Sequence, residues 1–188
     1  ASSDTVAKDS SPATTAAAGS RDNTPVVLTG SADGTVTYGN DSVTVDASHT
    51  EEGYLMVSYS GSNSKVKLQI TGSDEITYTY NLHDGYETFP LTSGSGSYTV
   101  GVFENIEGTS YSTLFTQAID VTIQDEFGPY LYANQYVNFS ADSKVISKAM
   151  ELSASANDDL EVIENVYNYI ITNFTYDYDK AASVQSGY

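Results

Sequence analysis

No cysteine occurs in the 188 residues. That excludes disulfides, thiolate metal sites and a thiol nucleophile within these residues. Tryptophan is also absent, and the only histidines are His49 and His83. Basic residues are scarce: seven Lys plus Arg stand against 25 Asp plus Glu, for a formal charge of −18. A chain this acidic does not grip nucleic acid through its phosphates, and anionic membrane surfaces repel it. No apolar run approaches the roughly 20 residues that a membrane helix needs.

What is present is enough for a core. Apolar residues make up 39% and charged residues only 17%, and the chain carries 16 Tyr and 6 Phe. This is not the composition of a charged disordered chain. The acid is concentrated in the middle, where residues 24–126 hold fourteen Asp or Glu against Lys65 and Lys67. Acidic, Cys-free and rich in Tyr, Thr and Ser, the composition suits an extracellular protein of a bacterial cell surface.

Residues 1–24 are dominated by Ser, Thr, Ala, Gly and Asp, with no apolar period. Such a segment cannot bury enough surface to offset its ordering entropy, and a flexible tether is expected there. It resembles the segment that follows the lipid-bearing Cys of bacterial lipoproteins, although that Cys is not present. An ordinary disordered terminus reads equally well.

Residues 25–126 read as strand after strand. Leu55, Val57 and Tyr59 alternate on one face, as do Val66, Leu68 and Ile70, then Ile76, Tyr78 and Tyr80, then Tyr98, Val100 and Val102. Tyr86 to Phe89 is a short edge candidate ended by Pro90, and Ser112 to Ile123 is long enough for one bent strand or two. Gly, Ser and Asn turns recur about every 8–12 residues, the mark of an antiparallel sandwich with one wet side per sheet. The expected fold class is mainly β, an immunoglobulin-like or fibronectin-like sandwich without the disulfide. Its core should hold Leu55, Val57, Val66, Leu68, Ile70, Ile76, Val100, Val102 and Leu114.

After Asp125 the pattern changes. Residues 127–139 read as a stop, a turn and an irregular aromatic stretch. From Asp142 the period becomes helical through Val145, Ile146, Ala149, Met150 and Leu152, with Ser140 or Asp142 as cap. A second helix should follow Asn157 as N-cap, with Asp158, Asp159 and Glu161 at the positive end of its dipole. Leu160, Ile163, Val166, Tyr167, Ile170, Ile171 and Phe174 form its 3.6-period stripe. Two helices with such faces need cover, and some fifty residues make a poor independent core. The chain therefore looks like one complete β domain plus the opening of a second domain whose remainder is not in it.

The run Leu160 to Ile170, continued by Ile171-Thr172-Asn173-Phe174-Thr175-Tyr176-Asp177, resembles the helix that opens the transglutaminase-like, papain-like core. In that family the helix ends in an I-x-Y-D type segment, and a Gly-x-Cys motif then starts the nucleophile helix. The resemblance covers residues 127–188. The sandwich and Tyr132-Ala133-Asn134-Gln135-Tyr136-Val137 look like the accessory N-terminal region of secreted bacterial members. The resemblance implies a truncated α+β core, with the Cys, His and Asp of the triad beyond Tyr188.

Individual residues offer weaker alternatives. His49 and His83 fall in expected loops, where a surface role is favoured over a nucleophilic triad. A zinc site from both plus Asp84 needs three convergent ligands. Asp33-Gly34 and Asn40-Asp41 could present oxygens to calcium, but no D-x-D-x-D-G loop is present and turn chemistry is the favoured reading. Asp177 and Asp179 flank Tyr178 in an expected extended run and would share one face. Gly94-Ser95-Gly96 reads as a hairpin connection rather than a phosphate loop. The tyrosines suit either a sugar-stacking face or half-buried strands, and their spread favours strands. No catalytic, cofactor-binding or metal-ligating residue is assigned, and no cofactor is expected.

Two functions arise as expectations. In the first, the chain is the non-catalytic N-terminal part of an extracellular transglutaminase-like cysteine enzyme, and the sandwich positions core or substrate. In the second it is a binding or adhesion module for a glycan or protein at the cell surface. Expected partners are a protein, peptidoglycan or another glycan, together with a second copy of the chain paired through the helical region. No amidase or amine-incorporation activity is expected of the chain itself, which lacks a thiol.

Overall fold

The computed structural model describes residues 19–183. The chain divides into two compact units. One is a β unit, residues 26–143, and the other is a helical unit, in which residues 19–25 join residues 144–183. The described residues are mainly β, with antiparallel sheets and three α-helices.

The β unit contains β1 (Leu28–Thr29), β2 (Thr37–Gly39), β3 (Val43–Asp46), β4 (Tyr54–Tyr59), β5 (Val66–Thr71), β6 (Thr77–Leu82), β7 (Gly85–Pro90), β8 (Gly96–Glu107), β9 (Ser110–Val121) and β10 (Tyr132–Ala133). One four-stranded sheet has the order β2-β3-β4-β7 and the other β6-β5-β8-β9, each antiparallel throughout. The short β1 and β10 pair in parallel. Both four-stranded sheets feed one apolar core, with Val43, Val45, Leu55 and Val57 from the first and Val66, Leu68, Ile70, Val100 and Val102 from the second. The period-two pattern is the cause: every second side chain points into the same layer.

Three expectations change here. Ile76 is not core; it is 49% exposed. It lies in the tight turn between β5 and β6, where its N–H donates to Asp74 Oδ1 and its carbonyl accepts from Gly72 N. β6 is an edge strand, so Tyr78 at its start is exposed as well, and only Tyr80 and Leu82 reach the core. Leu114 is only partly buried against the core. Gly94-Ser95-Gly96 is not a hairpin connection: β7 and β8 belong to different sheets, so the segment crosses between them.

One wet side per sheet also fails at β4, where Tyr54 and Met56 are buried opposite Leu55, Val57 and Tyr59. Tyr54 is covered by the ring of Tyr132, 4.4 Å away, and by His49 stacked at 5.2 Å. Residues 127–143 therefore belong with the β unit, a later boundary than composition implies.

The helical unit holds α1 (Lys144–Ser153), α2 (Asp159–Asn173) and α3 (Tyr178–Ser183). Ser140 and Ser143 bond each other in a turn ahead of α1. The N-cap of α2 is Asp158, one residue after the expected Asn157; its carboxylate accepts from Glu161 N at 2.9 Å. Glu161 Oε2 accepts from Asn157 N at 2.7 Å, so a second bond ties the residue before the cap to the first turn. The run Tyr176 to Asp179 is not extended. Asp177 Oδ1 accepts from Lys180 N and opens α3, so Asp177 and Asp179 do not form the shared face of a strand.

Most of the expected tether, residues 1–18, lies outside the described residues. Its last part is held: Asn23 Nδ2 donates to Ser153 O at 2.6 Å, and Arg21 pairs with Asp159 at 2.6 Å. Asn165 Nδ2 donates to Leu152 O. These amides satisfy carbonyls at the end of α1 that the helix itself leaves open.

Candidate functional site

Three places in the described structure combine chemistry with shape: a polar cluster around His49, an open cleft beside Tyr130, and an apolar groove between α1 and α2.

The His49 cluster forms where β3 leads into a 3₁₀ turn, Thr50–Glu52. Gly53 ends that turn at φ 89°, a conformation that favours glycine, and a Cβ there would meet the Pro129 ring at 2.5 Å. His49 Nδ1 lies 3.3 Å from Glu52 Oε1, and Nε2 lies 3.0 Å from Asp33 Oδ2 and 3.2 Å from Ser31 Oγ. Tyr132 OH donates to Glu52 Oε2 at 2.7 Å. Sequence reasoning places His49 on the surface with no serine near it. In the structure its side chain is only 18% exposed.

Ser31, His49 and Glu52 stand in the order of a nucleophile, a base and an acid. The electrostatics oppose that use. Partial burial alone would lower the His49 pKa, but the hydrogen bonds to Glu52 and Asp33 outweigh it and raise it. The Tyr132 hydroxyl holds Glu52 below the usual carboxylate range, with His49 adding to the effect. Burial and Glu52 push Tyr132 itself up to about 12, so its phenol stays protonated and donates. With Nδ1 facing Glu52 and Nε2 facing Asp33, the surroundings favour the protonated ring, which opposes its use as a base toward Ser31. The cluster braces the Ser31–Val36 loop, the 3₁₀ turn and Tyr132.

Asp46 anchors the same loop. Its buried carboxylate accepts from Gly34 N at 2.7 Å and Ser48 N at 2.9 Å. Burial alone would raise its pKa, but those hydrogen bonds hold it below the usual value. Asp33 and Gly34 are thus spent on His49 and Asp46. Asn40 Oδ1 accepts from Ser42 N and Val43 N, the turn chemistry expected of it. His83 is exposed and engages Glu87 Oε1 at 3.1 Å, with Gln135 beside both. The two histidines take different carboxylates and do not converge with Asp84. Among the described residues, no group of three His, Asp or Glu is placed to hold a metal ion.

The cleft lies where the β7–β8 crossing meets the segment after β9. Its volume is about 610 Å³, and Thr92, Ser95, Asp125, Glu126, Pro129 and Tyr130 line it. Pro129 is buried as a floor, while Asp125, Glu126 and Tyr130 are exposed at the rim. Neither segment carries a motif, because a cleft made by two connections leaves no periodic signal.

The groove in the helical unit, about 470 Å³, is lined by Val145, Ala149, Leu152, Val166, Ile170 and Phe174 beside Lys144 and Lys148. Val162, Val166 and Tyr169 of α2 are partly buried. Leu160, Ile163, Tyr167, Ile170, Ile171 and Phe174 are at least half exposed. No helix among the described residues is long and apolar enough to cross a membrane. Comparison with protein-family profiles, curated proteins and solved structures finds no significant match to the chain.

Proposed function

We propose that the chain is the non-catalytic N-terminal part of an extracellular bacterial transglutaminase-like cysteine enzyme, with the β unit as an immunoglobulin-like accessory module. The observation that carries this reading is the exposed face of α2. That helix is properly capped and phased, yet six large apolar side chains from Leu160 to Phe174 face solvent. At about 25 cal/mol per Å² of apolar surface, wetting even two or three such side chains costs several kcal/mol, comparable with the stability of a small domain. Further protein is the natural cover, and the resemblance of residues 160–177 to a core-opening helix says which kind.

The immunoglobulin-like reading of the β unit is supported by strand order. β3-β4-β7 against β6-β5-β8-β9 matches the A-B-E and C′-C-F-G order of such sandwiches. It is also supported by Tyr98 at the start of β8, whose hydroxyl donates to Gly94 O at 2.7 Å, four residues upstream, in the manner of a tyrosine corner. In this reading the parent enzyme performs thiol acyl transfer, either amide hydrolysis or cross-linking, with groups outside the chain. The acidic composition supports a cell-surface location, and the resemblance of residues 1–24 to the segment after a lipid-bearing Cys supports a lipoprotein. A second copy of the chain is the substitute cover for α2 when the core is missing.

The test is the coding sequence after the Tyr188 codon and the protein it specifies. A Gly-x-Cys motif with later His and Asp is expected, and the extended protein should protect α2 amides that exchange quickly in the 188-residue chain. A stop codon in that position, or an extension without those residues, overturns the reading. A second reading, a surface binding or adhesion module, is favoured by the open polar cleft beside Tyr130.

A further inference from the structure

We infer that the cleft beside Tyr130 is a saccharide-binding site for a short neutral or amino-sugar glycan. This deepens the accessory-module reading and rests on it only for where the glycan comes from.

The chemistry of the lining points to sugar. Tyr130 is 66% exposed at the rim, so its ring offers an unpaired π face of the kind that packs against the C–H face of a pyranose. Two carboxylates stand beside it. Asp125 uses Oδ1 to accept from Phe127 N, and neither its Oδ2 nor the Glu126 carboxylate bonds to any described residue. Carboxylate oxygens accept from sugar hydroxyls in charge-assisted bonds. Ser95 Oγ accepts from Ile123 N at 2.9 Å, which leaves its proton to donate. Thr92 adds a hydroxyl that bonds to no described residue. A stacking ring, two acceptors and two hydroxyl donors thus surround one space, whose volume of about 610 Å³ falls in the usual range for small-ligand sites.

The frame is firm where the ligand would sit. Pro129, the floor, is buried against Gly53, and Tyr98 fixes the β7–β8 crossing through Gly94 O. Charge narrows the ligand class. No Lys, Arg or His lines the cleft, and Asp125 and Glu126 sit on it. An anionic sugar would be repelled, and the mostly polar lining does not suit a purely apolar ligand.

The test is a titration of the 15N-labelled 188-residue protein with three trisaccharides: fully N-acetylated chitotriose, cellotriose and trigalacturonate. Binding of chitotriose or cellotriose should move amides of residues 92–95 and 123–130, and trigalacturonate should move none of them. Tyr130→Ala should weaken binding about tenfold or more, while Tyr130→Phe, which keeps the ring, stays within about threefold. Glu126→Gln should weaken binding several-fold with the spectrum otherwise unchanged, so a loss cannot be blamed on unfolding. The inference is overturned if neither neutral trisaccharide shifts these amides at about 10 mM, a concentration that reaches weak sites. It is also overturned if Tyr130→Ala binds as well as the parent, or if trigalacturonate binds equally. These outcomes are independent of any sequence beyond Tyr188, so this inference and the proposed function fail separately.

Discussion

The β unit and the helical unit spend their apolar residues differently. In the β unit, alternation along seven strands, β3 to β9, delivers sixteen of the eighteen side chains of one closed cluster, and Ala47 and Leu91 just beyond strand ends complete it. In the helical unit, α2 has no buried residue, although its apolar stripe is as regular as any strand. Periodicity says which face wants cover; it does not say that cover exists. A sheet gains cover from another sheet made by the same local rules. A pair of helices covers only its own seam, here Val162, Val166 and Tyr169, and leaves the outer stripe open.

The largest expected effect breaks the comparison from the β side. Phe89 is fully buried and meets Tyr80 edge-on at 5.0 Å. Phe89→Ala should cost about 3–5 kcal/mol in urea unfolding. A cost below about 1 kcal/mol would mean the two sheets do not share one packed core. Next is Asp46→Ala, which leaves Gly34 N and Ser48 N without their acceptor. About 2–3 kcal/mol is expected, with faster amide exchange confined to residues 31–36 and the 3₁₀ turn.

Those effects concern features with different legibility. The sheet core is readable because Val66, Leu68 and Ile70 alternate with Lys65, Lys67 and Gln69. Ile76 is misread because alternation does not show where a strand begins, and the β5–β6 turn takes that residue out of the pleat. Tyr54 escapes notice as core because part of its cover is Tyr132, far along the chain. The α2 stripe and its acidic first turn are plain, but the cap sits one residue later, where Asp158 is extended and its carboxylate accepts from Glu161 N. The His49 cluster is invisible in the sequence: Ser31, Asp33, Glu52 and Tyr132 converge only through loops.

The helical side of the comparison is sharpened by Asp158→Ala. It removes the α2 cap and should cost about 1 kcal/mol of local helix stability. The loss should appear in exchange of α2 amides and leave the β-unit unfolding midpoint unchanged. A matching shift in the β unit would show that the two units unfold as one.

Titration should distinguish the units more gently. His49 has a raised pKa, so its contribution is fully present below its ordinary value of about 6.5 and is lost as pH rises through the higher folded value. Glu52 and Asp46 are lowered, so their contributions hold above the ordinary carboxylate range and are lost as pH falls through their folded values. The β-unit melting temperature should therefore peak in mild acid. His49→Gln should remove the alkaline limb, a change of about 1 kcal/mol or less. A limb that survives His49→Gln would assign it to another group.

The smallest expected effect is the most pointed. Ile163 is 64% exposed. Ile163→Ser should change the stability of the 188-residue chain by no more than about 0.5 kcal/mol, against the several kcal/mol of a core site. A large loss would show that the stripe is already covered.

Native-state hydrogen exchange on the dilute 188-residue chain compares the two regions most directly. Amides of Leu55–Tyr59 and Val66–Ile70 should exchange only through global unfolding of the β unit. Amides of Ile163–Ile171 should exchange through local openings of far lower free energy. Protection of α2 equal to that of the β core would contradict the account, because it would mean that the helical unit already has the cover it is argued to lack.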